Sequence, residues 1–413
     1  MGKSHTWVRA QRRPKRALFL SSPIGLGHAR RDVAIAQELR SIHPDLQIDW
    51  LAQHPVTRVL ADAGESVHPA SAWLANESAH IEDESADHDL HAFQAIRRMD
   101  EILVSNFMVF NDVVDETYYD LVIGDEAWDV DYFLHENPEL KRFAFAWMTD
   151  FVGWLPMPAG GDAEAALTAD YNAEMLEQRA RYRRLRDRSI FVGNPDDIVD
   201  ESFGPGLPRI REWTEAHYDF AGYVTGFAAP SGQERERVRA RLGLEPDALL
   251  CVVTVGGSGV GEALLHRAMD AVPLARRVEP RLRFLVVTGP RIEPASLPRR
   301  RGAAVRGFVP DLYLTLAACD VAIVQGGLTT CMELTAAQRP FLYVPLENHF
   351  EQNFHVRHRL DQYGAGRCIR YAEASDSSAL AAALIDELAG TVRYRAVETD
   401  GAARAAALLG ELI

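Results

Sequence analysis

QGGLTTCMELTAAQRPFLYVPLENHFEQNFHVRHRLDQYGAG, residues 325–366, decides how this chain is read. The apolar run before it, residues 321–324, reads as a buried strand, and the pair Gly326-Gly327 then turns the chain into a helix expected to begin near Thr329. A helix start exposes N–H groups that have no intrahelical partner and carries roughly half a positive charge, so a phosphate is held there without other help. Glu333 stands one turn further on, where a carboxylate suits sugar hydroxyls better than phosphate, and Glu351-Gln352 adds a second acid and an amide. Glycine turn, helix start and acids together predict a pocket for a nucleotide sugar.

The same grammar extends outward. Upstream, a strand over residues 249–255, the loop GGSGVG at residues 256–261 and a helix over 262–276 open a series of strands at 283–288, 305–307, 320–324 and 340–344. The N-terminal half starts likewise, with a strand at 17–21, the loop PIGLGHARRD at 23–32, a helix over 31–41 and strands at 47–52, 121–124 and 142–147. Strands alternating with helices make a parallel α/β sheet, and the pattern restarts after residue 232. The expected fold is α/β, with two Rossmann-like domains facing a cleft. Residues 1–16 read as a disordered basic tail, 17–225 as an N-terminal domain that takes the acceptor and 226–232 as a linker. Residues 233–395 read as the donor domain, and 396–413 as a closing helix that packs back on the first domain. Residues 93–116 and 163–187 read as cover helices and the acidic run 82–89 as an exposed loop.

Composition narrows the function. At 413 residues and 47% hydrophobic content the chain can bury two cores, and its net charge of −15 repels nucleic acid and anionic membranes. Cys251, Cys319, Cys331 and Cys368 have no metal-ligand spacing, which fits a reducing cytoplasm. No apolar run approaches the roughly 20 residues needed to span a bilayer. The apolar helix near residues 102–114 admits a peripheral membrane contact, though burial against the first domain accounts for it as well. Both a monomer and a homodimer fit the sequence.

Two groups at the carboxyl edge of the first sheet carry the proton chemistry. His28 leaves the first strand on a loop in which Gly27 permits close approach of a ligand, and its imidazole titrates near neutrality, as a general base requires. Asp125 ends the strand at 121–124, where it can hold the imidazole in one tautomer and stabilise its cation; a helix N-cap would explain the same aspartate. Asp129-Val130-Asp131 has the form of a metal-binding pair but falls inside the next helix, and no metal is expected. In the second domain Gly257 and Ser258 offer a loop for the diphosphate, although a plain strand-to-helix turn accounts for the same glycines. Arg291 is a weak source of positive charge, and His349, His355 and His358 match no zinc spacing.

These residues resemble the inverting nucleotide-sugar glycosyltransferases of the GT-B fold, among them the bacterial peptidoglycan N-acetylglucosaminyl transferase, the diacylglycerol glycosyltransferases and the macrolide and plant UDP-glycosyltransferases. GLGH at residues 25–28, GGSGVG at 256–261 and above all the stretch 326–366 carry the likeness. The resemblance implies that Gly326, Gly327, Leu328, Thr329 and Thr330 hold the diphosphate and that Glu333 takes the ribose diol. It further implies that Phe308 lies beside the base, that Val309 reads its edge, and that Glu351 and Gln352 hold the donor sugar. His28 and Asp125 match the base and its partner. Gln325 departs from the pattern, because plant enzymes carry a phosphate-contacting histidine there.

The expected reaction is a metal-independent, inverting transfer of a hexose-type sugar from a nucleotide diphosphate sugar, UDP-linked, to a hydroxyl or amine of a small-molecule, glycolipid or natural-product acceptor. No cofactor is needed. Two other readings stay open: a UDP-sugar 2-epimerase, and a catalytically silent homologue that binds nucleotide sugar.

Overall fold

The computed structural model describes residues 13–225, 230–257 and 259–413. Seven strands form the first sheet: β1 (Arg16–Ser21), β2 (Gln47–Leu51), β3 (Ser66–Val67), β4 (Leu121–Asp125), β5 (Ala144–Thr149), β6 (Arg188–Phe191) and β7 (Asp219–Phe220), in the order β3-β2-β1-β4-β5-β6-β7. The second sheet has six: β8 (Leu249–Thr254), β9 (Leu282–Val287), β10 (Ala303–Arg306), β11 (Val321–Val324), β12 (Phe341–Tyr343) and β13 (Arg367–Cys368), in the order β10-β9-β8-β11-β12-β13. Every pairing in both is parallel. Helices cover both faces of such sheets, so the central strands are shut off from water: β4 and β11 are buried along their whole length. Each sheet accordingly separates two hydrophobic cores.

Chain order reverses between β1 and β4 in one sheet and between β8 and β11 in the other, and ligands of open parallel sheets bind beyond the strand ends at such points. The register brings Ser21 beside Asp125 at the first switch and Val324 beside Thr254 at the second. Five helices matter for what stands there: α1 (Leu26–Ile42), α2 (Glu77–Asp83), α3 (Trp128–Glu136), α4 (Glu262–Val278) and α5 (Leu328–Ala336). A sixth, α6 (Gly401–Gly410), leaves the second domain and packs on α1, placing Ala405, Ala406 and Leu409 in the first domain's core. Gly401 lies against the backbone of Tyr223, where a Cβ would come within 2.2 Å of the Tyr223 carbonyl oxygen.

Several boundaries differ from the sequence reading. Residues 13–16 are not free tail: Arg13 and Lys15 pair with Asp120, and Arg16 opens β1, because the sheet's edge carries an acid to receive them. Residues 1–12 and 226–229 lie outside the described residues, and the proposed linker has already ended at Ser231, which caps the helix Gly232–Arg241 in a reciprocal box with Glu234. The cover helix expected over 93–116 is two helices, Ala92–Arg97 and Asp100–Glu116, and the one expected over 163–187 is Gly161–Arg181. Phe107, Phe110 and Val113 of Asp100–Glu116 face the first domain's core, whereas Val104 and Met108 are exposed.

The largest departure is the acidic run 82–89. Rather than an exposed loop it is a strap between the domains. Glu82 closes on Arg291 at 2.6 Å, Asp87 accepts from the Tyr371 hydroxyl at 2.9 Å and Asp89 accepts from Asn348 at 3.0 Å. His88 donates to the Val344 carbonyl at 3.0 Å, and backbone bonds join Leu90 to Glu347 and Glu347 to His88. Ile81, Leu90 and Phe93 extend the contact into an apolar cluster shared with Val260, Leu346 and Phe350 of the second domain.

Candidate active site

His28 lies in the first turn of α1, which begins after Gly25 without a side-chain cap. Its Nδ1 is 2.9 Å from Asp125 Oδ2 at the end of β4. Sequence reasoning missed the third member, Arg31, one turn along α1. Its Nε is 2.8 Å from Asp125 Oδ2, it also bonds the Asp150 carboxylate, and its Nη2 is 2.8 Å from His28 Nδ1. Burial alone would raise the Asp125 carboxyl, but Arg31 and His28 outweigh it and hold it well below the usual range. Burial and Arg31 pull the imidazole of His28 down, while Asp125 and Glu126 pull harder, so its pKa ends raised.

Glu126 was missed as well. It follows β4 with a left-handed backbone (φ 52°), and Oε1 accepts from the Thr149 hydroxyl at 3.0 Å, which aims Oε2 at His28 Nε2, 3.9 Å away. Burial, then Asp150, pushes its carboxyl up to about 7. His28, Asp125 and Glu126 present ligand atoms within 4.8 Å of one another, the spacing of a metal set. Arg31 opposes that use, because its guanidinium already lies against Asp125. Asp129 and Asp131 are inside α3, as expected, and Asp131 is bonded to Arg186 at 2.6 Å.

Across the cleft, Gly326 adopts φ 103°, a conformation that glycine takes without strain, and the chain enters α5 at Leu328 with no side-chain cap. No side-chain cap closes the start of α5 among the described residues. Gly327, Leu328, Thr329 and Thr330 line the same cavity as His28 and Glu126. Gly27 explains how closely the halves meet: a Cβ there would fall 2.0 Å from Thr329 Oγ1. Gly257 likewise sits where a Cβ would fall 2.9 Å from Leu26 Cγ, so it meets the opposite domain. Ser258 lies outside the described residues.

Glu333 is buried, and loss of water raises its carboxyl to about 7 despite Arg30. It shares a second pocket with Phe308 and Val309, and the Arg58 guanidinium lies 4.6 Å from the Phe308 ring centre. Glu351 lines the main cavity with its carboxyl pushed to about 8 by burial, then by Asp150 and Glu126. Gln352 reaches the cavity too, but its Oε1 already accepts from Leu346 N–H at 2.9 Å. Gln325 orients its amide to donate to the carbonyls of Val255 (2.7 Å) and Val260 (3.2 Å), so it pins the glycine loop. Arg291 is held by Glu82. His349 and His355 are buried and pushed down to about 4 by loss of water, and His355 bonds the Gly153 carbonyl.

Two Rossmann-like domains with their strand ends turned to one cleft make up the GT-B fold, and this chain has that fold. Residues 250–406 match the glycosyltransferase family 28 C-terminal domain. The UDP-N-acetylglucosamine–N-acetylmuramyl-(pentapeptide) pyrophosphoryl-undecaprenol N-acetylglucosamine transferase of Thermobifida fusca is 31% identical over 144 residues, 34% of this chain and 37% of that one. Its counterpart in Pelobacter propionicus is 26% identical over 232 residues, 53% of this chain and 54% of that one. The chain thus spans between about a third and about half the length of these relatives. Among solved structures, the spinosyn rhamnosyltransferase SpnG superposes with a TM-score of 0.58 at 18% identity, over 96% of this chain and 95% of that one, a likeness of fold.

Proposed function

We propose that this protein transfers a sugar, with inversion and without a metal ion, from a UDP-linked donor to a hydroxyl or amine. The observation that carries the reading is one cavity with His28, backed by the buried Asp125, on one wall and the uncapped start of α5 on the other. Glu333 stands in the adjoining pocket.

An arginine only donates, and Arg31 already has two carboxylates to serve, so Nδ1–H of His28 belongs to Asp125 and the Nε2 lone pair faces the cleft. There it removes the acceptor proton while the acceptor oxygen or nitrogen attacks the anomeric carbon. The bond to the diphosphate oxygen breaks, and its electron pair leaves with the nucleotide, met by the amides and dipole of α5. Glu333 takes the ribose hydroxyls and Glu351 the sugar. Ile24, Ile81, Leu90, Trp128 and Phe350 make much of the cavity apolar, which suits an acceptor with an apolar body. The relatives' names specify a lipid-linked acceptor and a UDP-linked donor, and SpnG is also solved with thymidine diphosphate, so TDP-linked donors belong in the test.

That test is a thermal-shift panel of nucleotides and nucleotide sugars, followed by turnover of the stabilising donor in wild type and His28→Ala. The variant should lose roughly 10²–10⁴-fold in turnover and keep nucleotide binding. Wild-type turnover in His28→Ala would remove the base assignment, and a C2-epimer formed without acceptor would favour isomerisation instead.

A further inference from the structure

The nucleotide pocket contains a cation that comes from the opposite domain. Arg30 stands in α1 one turn beyond Gly27, and its Nη1 is 3.7 Å from Glu333 Oε1. In α5, Thr329 and Glu333 are likewise one turn apart, so Gly27 meets Thr329 while Arg30 meets Glu333 along one line of helix contact. Among the described residues lining this pocket and the main cavity, Arg30 is the only arginine or lysine.

We propose that Arg30 is a diphosphate ligand delivered by the N-terminal domain. Its guanidinium lies against Glu333; with a nucleoside diphosphate bound, Glu333 turns to the ribose hydroxyls and the guanidinium moves onto the phosphates. The inference rests on the nucleotide-sugar reading above and goes further, by naming a leaving-group contact on the far domain.

The chemistry requires such a charge. A nucleoside diphosphate leaves with at least two negative charges, against roughly half a positive charge at the start of α5. Gln325, the side chain nearest that turn in sequence, is occupied with Val255 and Val260. Moreover, the contact with Glu333 at 3.7 Å is longer than a charge-assisted hydrogen bond of about 2.7–2.9 Å, so little is lost when it opens. Two parallel bonds from a planar guanidinium to phosphate oxygens replace it. Because Arg30 travels with α1, full stabilisation of the departing nucleotide exists only in the closed molecule, which restrains hydrolysis of the donor while the cleft is open.

Calorimetric titration of UDP and of uridine into wild type, Arg30→Ala and Arg30→Lys tests this. Arg30→Ala should bind UDP about tenfold or more weakly and uridine as the wild type does, with Arg30→Lys between them for UDP. Unchanged UDP affinity in Arg30→Ala, or an equal loss for UDP and uridine, overturns the assignment. If the wild type binds neither UDP nor TDP, the nucleotide-sugar reading falls and the assignment falls with it. That result is distinct from one in which the wild type binds UDP and the variant binds it equally.

Discussion

At the scale of single residues, the informative pair is His28 and Glu126. Their facing atoms are 3.9 Å apart, with the imidazole's pKa raised and the carboxyl pushed up to about 7, so the two titrate as a coupled pair. The base must be neutral to accept a proton, so turnover should rise with pH through the raised imidazole pKa. Glu126→Gln removes an anion that holds the proton on His28, and loss of a nearby anion lowers an imidazole's pKa. The acidic limb of kcat/KM should therefore move to lower pH in Glu126→Gln, with the plateau retained within about tenfold. A profile that coincides with the wild type's would show that Glu126 does not face the working nitrogen.

At the scale of elements, α1 and α5 meet where glycine leaves no room to spare. Gly27→Ala puts a methyl group 2.0 Å from Thr329 Oγ1 and 2.7 Å from its Cβ, a clash that the molecule escapes by opening the cleft at this point. Overpacking of this kind costs about 1–3 kcal/mol, but here only in the closed state. The donor KM should rise about tenfold or more while the melting temperature of the free protein changes little. Thr329→Gly removes both clashing atoms and should restore closure in the double variant; failure to do so would place the defect elsewhere than in this contact.

How far the sequence carried the reading follows from which elements are local. The strand, glycine turn and start of α5 occupy consecutive residues and work through backbone groups, so composition announces them. His28 and Asp125 were legible because each follows an apolar strand, which sends both to one sheet edge. Arg31 was not, because its partners Asp125 and Asp150 lie 94 and 119 residues away and nothing local distinguishes it from other helix arginines. Glu126 was hidden for a different reason: its left-handed backbone, not its neighbours in sequence, turns it into the cleft. Acid-rich residues 82–89 look like solvated loop until their partners in the other domain, more than 200 residues on, are in view.

On the scale of the whole molecule, that strap ties one half to the other. It joins Glu82 to Arg291 and Asp89 to Asn348, and both contacts fall away when the partner side chains are removed. In Arg291→Ala/Asn348→Ala the amides of Leu90 and Glu347 should exchange hydrogen faster than in the wild type, and donor should hydrolyse faster without acceptor. Wild-type exchange at both amides would mean that the bonds of Asp87 and His88 and the apolar cluster beneath the strap hold the domains together without these two contacts.

The return of α6 has a consequence of another kind. The chain leaves the first domain just past Tyr223 and comes back at Gly401, and these two crossings touch. Everything from β8 to β13 is therefore a cassette, spliced into the other half through a single double-stranded seam. Exchanging that block for the equivalent block of another GT-B protein cuts the chain at this one seam, and what must then be matched is the strap and the meeting of α1 with α5. On the proposed reading, the residues that would hold the donor, Gly326–Thr330, Glu333 and Glu351, all travel in that block, while His28 and Asp125 stay behind.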